Sequence, residues 1–284
     1  MALSIYTSAS SMASINALNK ANSGLATAME RLGTGKRINS AADDAAGLQI
    51  ATRLQGQSNG MAVAQRNIAD ATAMLQTAEG AFDEVTNIMY RMKDLATQAA
   101  NDTNSQEDRE ALDAEFQELN KELTNIMDNT TYGGEALLNN GKLSTGSGMN
   151  FQIGSSASET MNVNLSTEMT AVTDSLTGAS GLSNISLSAS GADFSAAITS
   201  IEDALGAVGT VRSSLGANIN RLGHTSANLA NMKDNTDIAL GNIQDADFAA
   251  EASSMSRNQM LAQTSMSMLK QSNAMSGMVM SLLG

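Results

Sequence analysis

Between residues 68 and 99 the chain reads IADATAMLQTAEGAFDEVTNIMYRMKDLATQA. Its apolar positions Ile68, Ala71, Leu75, Ala78, Phe82, Val85, Met89, Met92, Ala96 and Ala99 follow one another in alternating steps of three and four. That spacing draws an apolar seam along one side of a helix, and slight left-handed supercoiling keeps such a seam against its partners. A lone helix would leave the seam in water, so the stretch predicts a helical bundle.

Partners for the seam lie further along the chain. Leu112, Phe116, Leu119, Leu123 and Ile126 repeat the alternation after the turn-forming Asn101 to Gln106, which predicts a second, antiparallel helix. A third seam runs through Ile198, Ile201, Leu205, Val208, Leu215, Ile219, Leu222 and Leu229, with Arg212 in the slot expected to be apolar. Between the second and third helices, from about residue 130 to 195, Gly, Ser, Thr and Asn dominate and helical periodicity is lost. There MNFQIG and MNVNLS alternate, with Phe151, Ile153, Val163 and Leu165 on one face, and predict a β-hairpin. Residues 175 to 193 read as exposed loop.

Composition agrees with long helices. The 284 residues include no Pro, Cys or Trp, and aromatics make up only 3%. Average usage would give about 14 prolines, each a break in a helical hydrogen-bond ladder. The net charge of -13 disfavours nucleic acid, whose phosphates need basic patches. No apolar run is long enough to cross a bilayer, and no basic cluster precedes the apolar residues of the N-terminus. Neither a membrane partner nor a cleaved signal peptide is expected, so export would need another route.

Both ends of the chain are amphipathic helices. Leu18, Leu25 and Leu32 repeat every seven residues near the start, as do Leu261, Met268, Met275 and Leu282 near the end. Neither stripe has a partner within its own segment, so the two ends are expected to pair with each other and then with other copies of the chain. Residues 101 to 128 hold nine acids and two bases, whereas residues 1 to 42 hold one acid and four bases, which marks the first segment as solvated and the second as facing protein. Seven of the 19 methionines lie in the last 30 residues, and unbranched Met suits an adaptable interface.

The segment RINSAADDAAGLQIA, residues 37 to 51, places Asp43 beside Asp44 in a run of alanines. A metal site would need further ligands, and the single histidine, His224, is remote in sequence. Ser40-Ala41-Ala42-Asp43 matches a capping box, and carboxylates in a first helical turn complement the helix dipole. The pair is therefore read as a helix start with Ser40 as N-cap. The small alanines are expected to permit close approach of neighbouring segments. Enzymatic motifs are lacking: there is no Cys, no second His, no HExxH, no phosphate loop and no G-x-S-x-G elbow. No cofactor is expected and catalysis is not.

These motifs resemble the bacterial flagellins. The resemblance is carried by LNKANSGLATAMERLGTGKRINSAADDAAGLQIA and QRNIADATAMLQTAEGAFDEV in the first half. In the second half it is carried by LGAVGTVRSSLGANINRL, IQDADFAAEASSMSRNQMLAQTSMSMLKQSNA and the closing VMSLLG. It implies a mainly α, hairpin-like molecule: an inner coiled coil of residues 1–43 and 243–284, and an outer helical bundle of residues 44–242 that includes the β-hairpin region. About 65 residues separate the bundle helices, which leaves no room for the large outer domains of many relatives. Where many relatives carry a proline before the last turns, Gly277 is the expected break.

The function so implied is a structural subunit that self-assembles head to tail into the extracellular flagellar filament, a propeller for swimming. The alternatives are a hook-to-filament junction protein and a secreted adhesive or receptor-binding module. By resemblance the partners are other copies of the chain, the export chaperone, and the cap and junction proteins. Residues 37–51 would join inner and outer parts opposite Asp245, Asp247 and Glu251, and Arg31, Lys36, Arg37 and Arg53 would pair with these acids or with Asp43 and Asp44, within one subunit or between neighbours. Arg91, Leu95 and Glu115 match positions that relatives present to the flagellin-sensing Toll-like receptor of animals. Serines and threonines of the exposed loop are candidate O-glycosylation positions.

Overall fold

A computed structural model describes residues 9–178, 181–189 and 193–283. Among them are six α-helices: α1 Ala9–Thr34, α2 Ala45–Ala99, α3 Gln106–Asn129, α4 Ser166–Thr177, α5 Phe194–Gln244 and α6 Phe248–Leu283. Four short strands lie between α3 and α4: β1 Thr131–Tyr132, β2 Glu135–Ala136, β3 Met149–Gln152 and β4 Thr160–Val163. The chain forms two compact units, residues 58–233 and residues 1–57 with 234–284. The mainly α class with a small β region is the one the seams and the missing prolines predict.

In the unit of residues 58–233, all ten seam positions from Ile68 to Ala99 are buried. They pack with Phe116 and Leu123 of α3 and with Ile201, Val208, Leu215 and Leu222 of α5 in one continuous core. The slot between Val208 and Leu215 is filled by Val211, not by Arg212. One residue further round the helix, Arg212 reaches across to α2, with Nη2 2.8 Å from Glu79 and 2.9 Å from Asp83. Ser105 caps α3 in a capping box with Asp108, each side chain bonded to the other residue's backbone.

The β-hairpin forms as β3 against β4, antiparallel, with Phe151 opposite Met161. Met161, Val163 and Leu165 are buried, while Phe151 and Ile153 are half-buried against the same core. A second, smaller hairpin joins β1 to β2 through Gly133 and Gly134. Both glycines have positive φ, as a two-residue turn of the primed type requires. Residues 175 to 193 are not simply loop. Helix α4 runs to Thr177 and buries Met169, Val172 and Leu176, and a 3-10 turn at Leu182–Asn184 seals Leu182 into the core. Leu187 is buried too. One 12-residue helix carries a single repeat of the apolar spacing, too little to stand out from its Ser and Thr neighbours.

Helix α6 continues through Gly277 to Leu283, so the expected break is not made there. No helix among the described residues is long and apolar enough to cross a membrane.

Candidate assembly site

Helices α1 and α6 pack antiparallel along their length. Ser11 and Ser272 hydroxyls lie 2.9 Å apart at one end, and Arg31 Nη1 donates to Glu251 Oε1 at 2.9 Å at the other. Midway, Gly24 backs onto Asn258 so closely that a Cβ at Gly24 would sit 2.7 Å from the Asn258 amide nitrogen. The inner seam of α1 is Leu18, Ala21, Leu25, Ala28 and Leu32, with Ala21 and Ala28 buried and the three leucines half-buried. Facing it on α6 are Met255, Asn258, Ala262, Ser265 and Leu269, of which Ala262 is buried.

The α6 positions singled out by their seven-residue repeat lie to one side of that seam, more exposed than it. Leu261 is 50% exposed, Met268 59% and Met275 50%. The side chain of Leu282 is outside the described residues. Helix α6 thus carries two apolar stripes, one residue out of phase. The stripe of larger side chains is the more exposed of the two, because the close α1–α6 approach selects Ala and Ser instead. Met12, Ile15 and Met29 of α1 are exposed as well.

Four helix ends meet where α1 gives way to α2 and α5 to α6. Lys36 and Asp245 form a single antiparallel bridge, with Arg37 N–H donating to the Gln244 carbonyl at 2.7 Å and Ala246 N–H to that of Gly35 at 2.9 Å. Arg37 also donates through Nη2 to the Ile243 carbonyl at 2.8 Å. A cation there satisfies an orphan carbonyl of the last turn of α5 and suits the negative end of its dipole.

The acids at this junction act mainly as caps. Asp44 Oδ1 accepts from Gly47 N–H at 2.9 Å, three residues on, and so is the N-cap of α2. Asp247 Oδ1 accepts from Ala249 and Ala250 N–H at 2.9 and 3.1 Å and caps α6 in the same way. Ser40 does not cap α2. Ser40 and Asp43 bond one another, the Asp43 carboxylate accepting from Ser40 N–H and hydroxyl and from Asn39 N–H, but they close a turn before the helix starts at Ala45. Backbone donation from Ser40, then from Asn39, holds the Asp43 carboxyl below the usual carboxylate range.

Among the described residues, the ion pair at this junction is Arg31 with Glu251, and Lys36, Arg37 and Arg53 make none with the acids. The alanines Ala41, Ala42, Ala45 and Ala46 are exposed. Close approach falls instead to Gly47, where a Cβ would meet Asp44 Oδ2 at 2.5 Å and Ile38 Cδ1 at 2.7 Å. Ile38, almost fully buried, is the hydrophobic anchor of the junction, and nothing in the periodicity of its neighbours marks it.

On the other unit, Arg91 and Glu115 are brought together: Arg91 Nε and Nη2 donate to Glu115 Oε1 at 2.9 and 2.7 Å on an exposed surface. Leu95 is not on that surface. It is fully buried in the bundle core, one helical turn from Arg91 but turned inward. No group of three or more His, Asp or Glu suited to a metal ion occurs among the described residues.

The sequence matches known proteins over most of its length. The bacterial flagellin N-terminal helical region matches residues 5–143 and the bacterial flagellin C-terminal helical region residues 198–283. A flagellin of Halalkalibacterium halodurans is 38% identical over 257 residues, 90% of each chain. One of Listeria innocua is 37% identical over 270 residues, 94% of each. Polar flagellin C of Vibrio parahaemolyticus is 34% identical over an alignment of 387 residues that covers all of both chains. That alignment is longer than the 284 residues here, so the Vibrio protein carries segments that this chain lacks. A crystal structure of Bacillus cereus flagellin, 30% identical, superposes with a TM-score of 0.47 over 58% of this chain and 88% of that one.

Proposed function

The chain belongs to the bacterial flagellin family, and on that premise we propose that its subunits join through the outward apolar side of the α1–α6 pair. The family makes it a structural subunit of the extracellular flagellar filament, in a compact form without large outer domains. The observation that carries the proposal is the stripe of Leu261, Met268 and Met275, half or more exposed in a single chain. Complete burial of such a side chain is worth roughly 1.5 to 3 kcal/mol, of which about half remains to be gained at these three, so the stripe contributes to association alongside the rest of the interface. Head-to-tail contacts between identical copies then propagate without closing.

The junction's role in this reading is to hold the helix pair. Its acids are spent on capping within the subunit, so Asp44, Asp247 and the turn around Asp43 act inside one chain and not between neighbours. Lys36 and Arg53, unpaired with these acids, are left for contacts to neighbouring copies. The protein performs no catalysis; its work is mechanical. An export chaperone would cover the α6 stripe before assembly, and the cap and junction proteins would meet it at the two ends of the filament. Export proceeds without removal of a signal peptide, which N-terminal sequencing of the filament subunit tests by starting at residue 1 or 2.

Recognition by the flagellin-sensing receptor would rest on Arg91 and Glu115, with Leu95 acting only through the core. Electron microscopy of purified subunits seeded with filament fragments tests the assembly proposal: long filaments are expected, and persistent failure to elongate would refute it.

A further inference from the structure

Methionine burial differs between the two units. In the unit of residues 58–233, Met61, Met74, Met89, Met92, Met127, Met161 and Met169 are buried, while Met149 is half-buried and Met232 is 39% exposed. In the helix pair, Met12 is 58% exposed, Met29 52%, Met260 62%, Met266 49%, and Met268 and Met275 are similarly open. A thioether is oxidised where an oxidant can reach its sulfur, so these two groups should differ in reactivity. Cysteine, which would otherwise compete for the oxidant, is absent from the chain.

We propose that Met268 and Met275, in the exposed stripe of α6, form an oxidation site through which peroxide blocks assembly of the soluble subunit while leaving the bundle intact. The step is a two-electron oxygen transfer. A methionine sulfur attacks the electrophilic oxygen of hydrogen peroxide, the O–O bond breaks, the sulfur becomes a sulfoxide, and the remaining oxygen leaves as water. Sulfur is oxidised and peroxide reduced, with no further reactant. The product is a polar, chiral side chain on a surface that assembly has to bury.

The consequence for assembly rests on the proposed role of the α6 stripe. A sulfoxide oxygen buried without a donor lowers affinity about tenfold or more, so one or two modified positions are enough to slow elongation by that factor. The flexible, polarisable side chain that fits a close interface is thereby also its point of chemical vulnerability. Once a neighbouring subunit covers the stripe, the same residues are shielded, so the filament should resist the oxidant that disables the free subunit.

The test treats soluble full-length subunits with hydrogen peroxide, maps sulfoxides by peptide mass spectrometry, and follows seeded elongation. The expected result is sulfoxide at Met268 and Met275 before any at Met61, Met89, Met92 or Met169, with elongation falling at least tenfold and recovering after methionine sulfoxide reductase treatment. A Met268→Leu, Met275→Leu variant should elongate and lose far less elongation to peroxide than the parent. Full sulfoxide occupancy on α6 with unchanged elongation would overturn the proposal. So would loss that the reductase does not reverse, or equal oxidation of the buried methionines. If oxidation follows the expected order but untreated subunits never elongate on seeds, it is the assembly reading that fails.

Discussion

Arg31 near the end of α1 and Glu251 in the first turn of α6 are joined by a 2.9 Å hydrogen-bonded ion pair that is partly shielded from water. It ties together residues 220 apart in sequence, at the place where the helix pair gives way to the capped junction. Arg31 Nε is buried without a partner among the described residues, so the guanidinium depends on this one acid.

Glu251→Ala and Arg31→Ala should each cost stability, because either one strands a partly shielded charge. Charged hydrogen bonds of this kind contribute about 1.5 to 3 kcal/mol, and we expect Glu251→Ala to fall in that range. Amide hydrogen exchange of α1 and α6 reads the loss locally, and equal protection in parent and variant would show the pair to be incidental.

At the start of α2, Asp44→Ala should destabilise by about 1 kcal/mol through loss of the N-cap. Gly47→Ala should cost at least as much, since its Cβ would push on both the cap carboxylate and Ile38. Asp43→Ala should instead loosen the turn at residues 39–43 and leave the helix start in place. Backbone amide shifts of Gly47 and Ser40 separate the two effects.

Neighbouring residues in α5 should behave in opposite ways. Val211→Ala removes two buried methyl groups, worth about 0.8 kcal/mol each and more with a residual cavity. Arg212→Ala breaks solvent-accessible pairs to Glu79 and Asp83, for which up to about 1 kcal/mol is usual and salt-sensitive. Denaturant midpoints at low and high salt should converge for the Arg212 variant alone.

Asp113 of α3 anchors the segment after the 3-10 turn, accepting from Leu187 N–H at 2.7 Å and from the Ser188 and Ser186 hydroxyls at 2.9 and 3.1 Å. Partial burial pushes its carboxyl up, but donation from Leu187, then Ser188, Gln117 and Ser186, outweighs that and the net displacement is downward. A depressed folded-state value means the contribution is present above the unfolded value of about 3.9 and is lost as pH falls through the lower folded value. Exchange protection at Leu187 should hold at pH 5 and fade below about pH 4, and Asp113→Ala should abolish that dependence.

Leu95→Ala should destabilise the bundle by about 2 to 5 kcal/mol, as deletions in packed cores do, whereas Arg91→Ala should change stability by under about 1 kcal/mol. In a receptor reporter assay with soluble protein, loss on Arg91→Ala without unfolding would support recognition through the Arg91–Glu115 surface. An unchanged response would exclude it.

The bundle was legible because the seams of α2 and α5 repeat over more than three heptads, and the error at Arg212 shows the limit of that reading. A straight helix drifts against a seven-residue repeat, so Val211, one position away, could take the core slot. The same ambiguity hid which stripe of α6 meets α1: Leu261, Met268 and Met275 outweigh Ala262 and Ser265 in hydrophobicity, yet close helix approach favours the smaller residues. Ser40-Ala41-Ala42-Asp43 and Ser105-Gln106-Glu107-Asp108 have the same spacing, but only the second opens a helix. The difference is Asp44, which offers a competing cap one residue later. Ile38 and Leu95 escaped for a tertiary reason: which side of a chain is covered depends on partners brought together from distant sequence.

The central claim is that the exposed stripe of α6 is where one subunit meets another. A cryo-EM reconstruction of the assembled filament, at a resolution that shows side chains, tests it most directly. The account predicts Leu261, Met268 and Met275 buried against a neighbouring copy, with α1 still seated on Ala262 and Leu269. Finding those three side chains facing solvent or an open channel, with subunits joined elsewhere, would contradict it.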